Sequence, residues 1–101
     1  MDRVERSEHL RVERRVVVTG GVQGVGFRAF VRDAARSLGV IGWTRNLPDG
    51  SVEVEAAGDE GAMAAFVGRL RSGPVWIHVT EVRDEPRSAA DALPDPFTIL
   101  R

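Results

Sequence analysis

One segment carries an unusual density of glycine: Gly20-Gly21-Val22-Gln23-Gly24-Val25-Gly26-Phe27-Arg28. Glycines let a backbone curl so that successive N–H groups point inward at an anion, and a following helix N-terminus adds positive dipole. The segment therefore reads either as a phosphate cradle or as a tight connection that simply needs glycine geometry. Two familiar phosphate motifs fail. Gly21 and Gly26 have the spacing of a Walker loop, but Phe27-Arg28 stands where Lys-Ser or Lys-Thr would hold magnesium. Gly24-x-Gly26-x-x-Ala29 mimics a dinucleotide fingerprint, but a hairpin follows it and the chain is too short for that domain. Arg28 falls in the first turn of the next helix, where a cation opposes the dipole. A local rule broken beside a glycine loop suggests function, and a guanidinium can grip two phosphate oxygens at once. Taken alone, Arg28 is equally one exposed arginine among fourteen.

Few other side chains offer chemistry. Asn46 by itself is a turn asparagine. His9 lies in the N-terminal tail and His78 in a later strand; Asp33 and Asp49 have plain readings as helix surface and turn. No His/Asp/Glu set has metal-ligand spacing, so no metal and no cofactor is expected. With no cysteine there is no disulfide, thiolate metal site or cysteine nucleophile.

The elements that must position these groups follow from periodicity. Residues 1–12 mix charges without pattern and read as a flexible N-terminal extension, or in part as a longer first strand; residues 13–101 form the domain. Arg15 to Thr19 is a β-branched strand broken by Gly20-Gly21. Phe27, Phe30, Val31, Ala34, Ala35 and Leu38 have helical spacing, with Gly39 at the C-cap. Val40–Thr44 is a second strand and Leu47-Pro48-Asp49-Gly50 a turn. Val52, Val54 and Ala56 alternate with Ser51, Glu53 and Glu55, as a half-buried strand would. Met63, Phe66, Val67 and Leu70 mark a second helix after Asp59-Glu60, ended by Ser72-Gly73-Pro74. A fourth strand is expected within Val75–Glu85, with Ile77, Val79 and Val82 inward and an irregular start. Phe97 and Ile99 alternate in a short fifth strand. The order βαββαβ implies a ferredoxin-like α+β sandwich, with two helices on one face of a largely antiparallel sheet.

Composition narrows the function classes. The 101 residues suit one domain with net charge −1, so no bulk positive field invites nucleic acid. All fourteen basic residues are arginine, which we read as codon bias. The charged N-terminus and the lack of a long apolar run predict no signal peptide, no membrane span and a cytoplasmic location. We expect a monomer.

The glycine segment, read as Gly20-x-Val22-Gln23-Gly24-Val25-x-Phe27-Arg28, closely resembles the signature of the acylphosphatase family. Gly42-Trp43-x-x-Asn46-x-x-Asp49-Gly50-x-Val52-Glu53-Val54 resembles that family's second signature, in the right order and spacing. The likeness runs from about Arg14 to Val82, and more loosely to Phe97-Thr98-Ile99. It implies hydrolysis of acyl phosphates to carboxylate and phosphate. It also implies that Arg28 binds phosphate, that Asn46 positions the attacking water, and that the backbone amides of Gln23, Gly24, Val25, Gly26 and Phe27 complete the cradle. One departure is Gly21, at a position usually basic in the family; Thr44 also replaces a more usual valine. The competing readings are a non-catalytic module of the same family that binds an anion or partner, and an RNA-binding sheet. The second needs exposed aromatics on the central strands, where Val16-Val17-Val18 and Val52-Glu53-Val54 supply none.

Overall fold

The computed structural model describes residues 10–101. Most of the expected N-terminal extension, residues 1–9, lies outside them. The elements are β1 (Arg11–Gly20), α1 (Phe27–Leu38), β2 (Ile41–Asn46), β3 (Val52–Asp59), α2 (Glu60–Ser72), β4 (Val79–Pro86) and β5 (Thr98–Ile99). They build a five-stranded sheet in the order β4-β1-β3-β2-β5, antiparallel throughout except for β2 and β5. The architecture is the α+β ferredoxin-like sandwich that the element order implied.

Register explains the core. Val16 lies opposite Val54 and Val18 opposite Val52. These four share the sheet face on which both helices pack, and all are fully buried with Phe27, Val31, Ala34, Phe66, Leu70 and Phe97. Helix α1 ends where Gly39 takes a left-handed conformation, its N–H reaching back to Ala35 and Arg36 carbonyls. Helix α2 begins at Asp59, whose carboxylate accepts from the Ala62 amide at 2.8 Å. Phe66 on α2 meets Phe97 edge-on at 6.0 Å between ring centres, seating the segment that leads into β5.

Three details differ from the sequence expectation. First, β1 starts at Arg11, so the strand takes in two of the residues assigned to the extension. Second, β3 is buried on both faces: Glu53 is 4% exposed and Glu55 8%. Arginines from neighbouring elements close over them. Arg15 and Arg45 donate to Glu53 at 2.7 and 2.8 Å, and Arg87 pairs with Glu55, so a polar alternation encodes a covered strand. Third, β4 starts at Val79 rather than near Val75. Pro74 to Ile77 make a turn closed by the Ile77 N–H to the Pro74 carbonyl at 3.0 Å. That turn buries Ile77 and leaves Val75 and Trp76 in solvent. The irregular start expected of this strand is present as a register shift opposite Thr19 and Gly20.

Candidate active site

The β1–α1 loop owes its shape to its glycines. Gly20 passes so close to β4 that a Cβ would lie 2.3 Å from the His78 carbonyl oxygen. The next amide, Gly21, donates to that same oxygen at 2.9 Å. Gly24 and Gly26 have φ of 75° and 85°, the left-handed region that favours glycine. Gly26 is the N-cap of α1 and brings no side chain to it, so the helix begins with its first amides uncovered. After the Val22 amide, which bonds to Gly20, the next well-formed backbone donor is Phe30, to Gly26 at 3.1 Å. Among the described residues, the amides from Gln23 to Ala29 thus have no well-formed acceptor. Gly24, Gly26, Phe27, Arg28 and Ala29 of this segment, with Val22 and Ile99, line a concavity of about 170 Å³.

The individual side chains divide the labour. Phe27 is a core residue, 1% exposed, so its part in the concavity is its backbone. Val25 is 44% exposed at the loop tip and likewise can offer only its amide. Arg28, in the first turn of α1, is half-buried, and its Nη1 donates to the Leu100 carbonyl at 3.3 Å. Among the described residues no carboxylate pairs with it, and it lines the concavity.

Asn46 is the last residue of β2, exposed, and in register with Val52. Nothing in the structure joins it to Arg28 by a hydrogen bond. Gln23 joins their two loops instead: its Nε2 donates to the Leu47 and Ser51 carbonyls, both at 2.8 Å. The β2–β3 turn is held from within as well. The Asp49 carboxylate accepts from the Ser51 hydroxyl and amide, and these bonds hold its pKa below the ordinary carboxylate range. Among the described residues no group of three or more His, Asp or Glu side chains is placed to hold a metal. No described helix is long and apolar enough to cross a membrane.

Sequence reasoning missed three contributors: the Gln23 side chain, the turn carbonyls it holds, and the C-terminal segment. Ile99 forms a wall of the concavity and Leu100 anchors Arg28. Alternation at Phe97 and Ile99 signalled the strand, but nothing in it signalled pairing with β2.

Comparisons with known proteins identify the family. The sequence model of the acylphosphatase family matches residues 14–99. An acylphosphatase of Rhizobium etli is 51% identical over 85 residues, 84% of this chain and 89% of that protein. One from Bifidobacterium longum is 55% identical over 71 residues, 70% of this chain and 73% of that protein. The crystal structure of acylphosphatase from Bacillus subtilis superposes with a TM-score of 0.81 at 34% identity, covering 91% of this chain and all of that one. The chain belongs to the acylphosphatase family and is an acylphosphatase enzyme.

Proposed function

We propose that the enzyme cleaves acyl phosphates by positioning and charge stabilisation alone, with Arg28 and the loop amides holding the phosphoryl group and Asn46 aligning the water. The observation that carries this reading is Arg28. It is a guanidinium without a carboxylate partner among the described residues, lining a concavity together with residues of the glycine loop and the first turn of α1. Both features bind tetrahedral anions, and together they spread stabilisation over three phosphoryl oxygens. Phosphoryl transfer asks little covalent chemistry of a protein. Water attacks phosphorus, the bond from phosphorus to the acyl oxygen breaks, and the carboxylate departs with the bonding pair. That leaving group has a conjugate acid with a pKa near 4, so it needs no proton and the site needs no general acid. The proton from water passes to a phosphoryl oxygen of the substrate. A phosphate monoester, whose leaving alkoxide does need protonation, is left almost untouched.

The same reading makes a metal unnecessary. Turnover of benzoyl phosphate by the purified enzyme should survive exhaustive chelation, and nitrophenyl phosphate, whose phenolate is a poorer leaving group than a carboxylate, should react far more slowly. Loss of activity on chelation, restored by magnesium, would overturn it. Inorganic phosphate and sulfate should compete with substrate, because the loop grips the tetrahedral anion. We propose a monomeric cytoplasmic enzyme acting on a small molecule, without nucleic acid or membrane; the net charge of −1 and the absence of a long apolar helix among the described residues support this reading.

A further inference from the structure

We infer that the side chain of Gln23 is a positioning residue for the reaction: it couples the phosphate cradle to the water-holding Asn46 by clamping the turn that follows β2. The inference rests on the roles proposed for Arg28 and Asn46, and adds a part that neither backbone cradle nor fold requires.

The geometry is specific. Leu47 directly follows Asn46, and Ser51 directly precedes Val52, the register partner of Asn46. Their carbonyls therefore flank the last rung of the β2–β3 ladder. Each already accepts one bond inside the turn, Ser51 from the Leu47 amide at 2.8 Å and Leu47 from the Gly50 amide at 3.1 Å. The Gln23 amide group fills the second lone pair of both, spending its two N–H donors at 2.8 Å each. Ser51 is 1% exposed, so water cannot easily substitute at that carbonyl.

Gln23 itself sits in the cradle loop, between the Val22 and Gly24 that line the concavity. One side chain thus fixes the separation between the loop that holds phosphorus and the turn that carries the nucleophile's partner. In-line attack depends on that separation, and a misplacement near 1 Å can cost on the order of a hundredfold.

Only a donor pair can do this. A carboxylate at the same place would turn its oxygens toward two carbonyl oxygens, and a thioether would leave both carbonyls unfilled. The neutral carboxylic acid has one O–H and could restore one of the two bonds.

Four variants test the inference with benzoyl phosphate as substrate and inorganic phosphate as competitor: Gln23→Met, Gln23→Glu, Asn46→Ala and the double variant Gln23→Met/Asn46→Ala. Gln23→Met should lower kcat by roughly ten- to a hundredfold, with the inhibition constant of phosphate changed by no more than a few-fold. In the Asn46→Ala background the same change should cost less than about threefold, because the group being positioned is gone. Gln23→Glu should be as slow as Gln23→Met at neutral pH and recover part of its turnover as the pH falls and the carboxyl takes a proton. That acid-side recovery reports the bonds to the two carbonyls, and the dependence on Asn46 separates positioning from a merely structural role. Equal losses from Gln23→Met with and without Asn46 overturn the inference, as does a wild-type kcat in Gln23→Met. If Asn46→Ala alone keeps wild-type turnover, the role proposed for Asn46 fails first. Should Gln23→Met not fold, the pH profile of the isosteric Gln23→Glu decides: recovery supports the clamp, and a profile parallel to wild type overturns it.

Discussion

Arg28 and Leu100 stand 72 residues apart in sequence and are joined by one hydrogen bond, from the guanidinium Nη1 to the backbone carbonyl at 3.3 Å. Leu100 is held in turn by its own N–H, which donates to the Thr44 carbonyl on β2 at 2.8 Å. Farther along α1, Arg36 grips the Phe97 carbonyl with Nε and Nη2 at 3.0 and 2.8 Å. The C-terminal strand is therefore a strap across α1 and β2, and it sets where the unpaired face of Arg28 points.

Arg36→Ala releases one end of that strap without touching the proposed site. It should cost about 1–2 kcal/mol in stability, since two charge-assisted bonds are lost from a side chain that is itself exposed. It should also lower kcat/KM several-fold as Leu100 drifts. Urea titration and steady-state kinetics would check both. A loss of stability with unchanged kinetics would show that Leu100 does not orient Arg28.

The two glycines that open the loop should respond oppositely to substitution. At Gly20 a Cβ meets three backbone atoms of the His78–Thr80 segment and φ is 133°, so Gly20→Ala should destabilise by at least about 2 kcal/mol. At Gly21 a Cβ would meet no atom within 4 Å, and φ lies outside the region reserved for glycine. Gly21→Arg should fold, and should gain roughly half a kcal/mol or more from a less flexible unfolded chain. It also adds a positive charge beside the glycine loop. KM for benzoyl phosphate should fall several-fold at low salt with kcat little changed, and the gain should fade near 1 M salt, where the screening length is about 3 Å. An unchanged KM at low salt would mean that Gly21 does not sense the substrate.

The stability of the sheet should depend on pH through Glu53. Burial raises its pKa, but the Arg45 and Arg15 guanidiniums outweigh that and hold it below its ordinary value of 4.5. A folded-state pKa below the unfolded one means that the unfolded chain binds more protons in between. The stabilisation is thus fully present above pH 4.5 and is lost as the pH falls from there through the lower folded value. Glu53→Gln should flatten this acid limb in thermal melts. Its cost at pH 7 should be only about 1–2 kcal/mol, because Arg15 and Arg45 are 28% and 47% exposed and can turn to water. Removing both arginines instead strands a buried carboxylate, at about 3–5 kcal/mol.

Glu53 also shows where the sequence could be read and where it could not. Local periodicity placed both helices, the β2–β3 hairpin and the Gly39 cap, because each is encoded within a few residues. The roles proposed for Arg28 and Asn46 come instead from the resemblance of the long motifs around them. Periodicity did not show that Glu53 and Glu55 lie under arginines, since Arg15 and Arg87 are 38 and 32 residues away from their partners. The same holds for Gln23, whose bonds span 24 and 28 residues, and for Leu100. Side-chain bridges between loops leave no periodic trace. The start of β4 was misplaced for a related reason: Val75-Trp76-Ile77 has strand-like composition, but Pro74 and the approach of Gly20 and Gly21 to His78 hold it as a turn.

Arg28 and Asn46 should fail differently when changed. Arg28→Gln removes the fixed charge and the forked contact with phosphoryl oxygens, so both turnover and phosphate binding should disappear. Arg28→Lys should rescue poorly, because an ammonium is a point charge without the fork. Asn46→Ala leaves the open amides and Arg28 in place and removes only the group proposed to hold water. Its turnover should fall on the order of a hundredfold or more, with phosphate affinity within a few-fold of wild type. Both variants should fold, since Asn46 is exposed and Arg28 lines a surface concavity rather than the core; circular dichroism would verify it. The decisive comparison is phosphate titration of the two proteins side by side. If Asn46→Ala loses phosphate while Arg28→Gln retains it, the two roles are reversed. If neither change lowers turnover, the chemistry takes place elsewhere, and the cradle between Val22 and Ile99 binds an anion without using it.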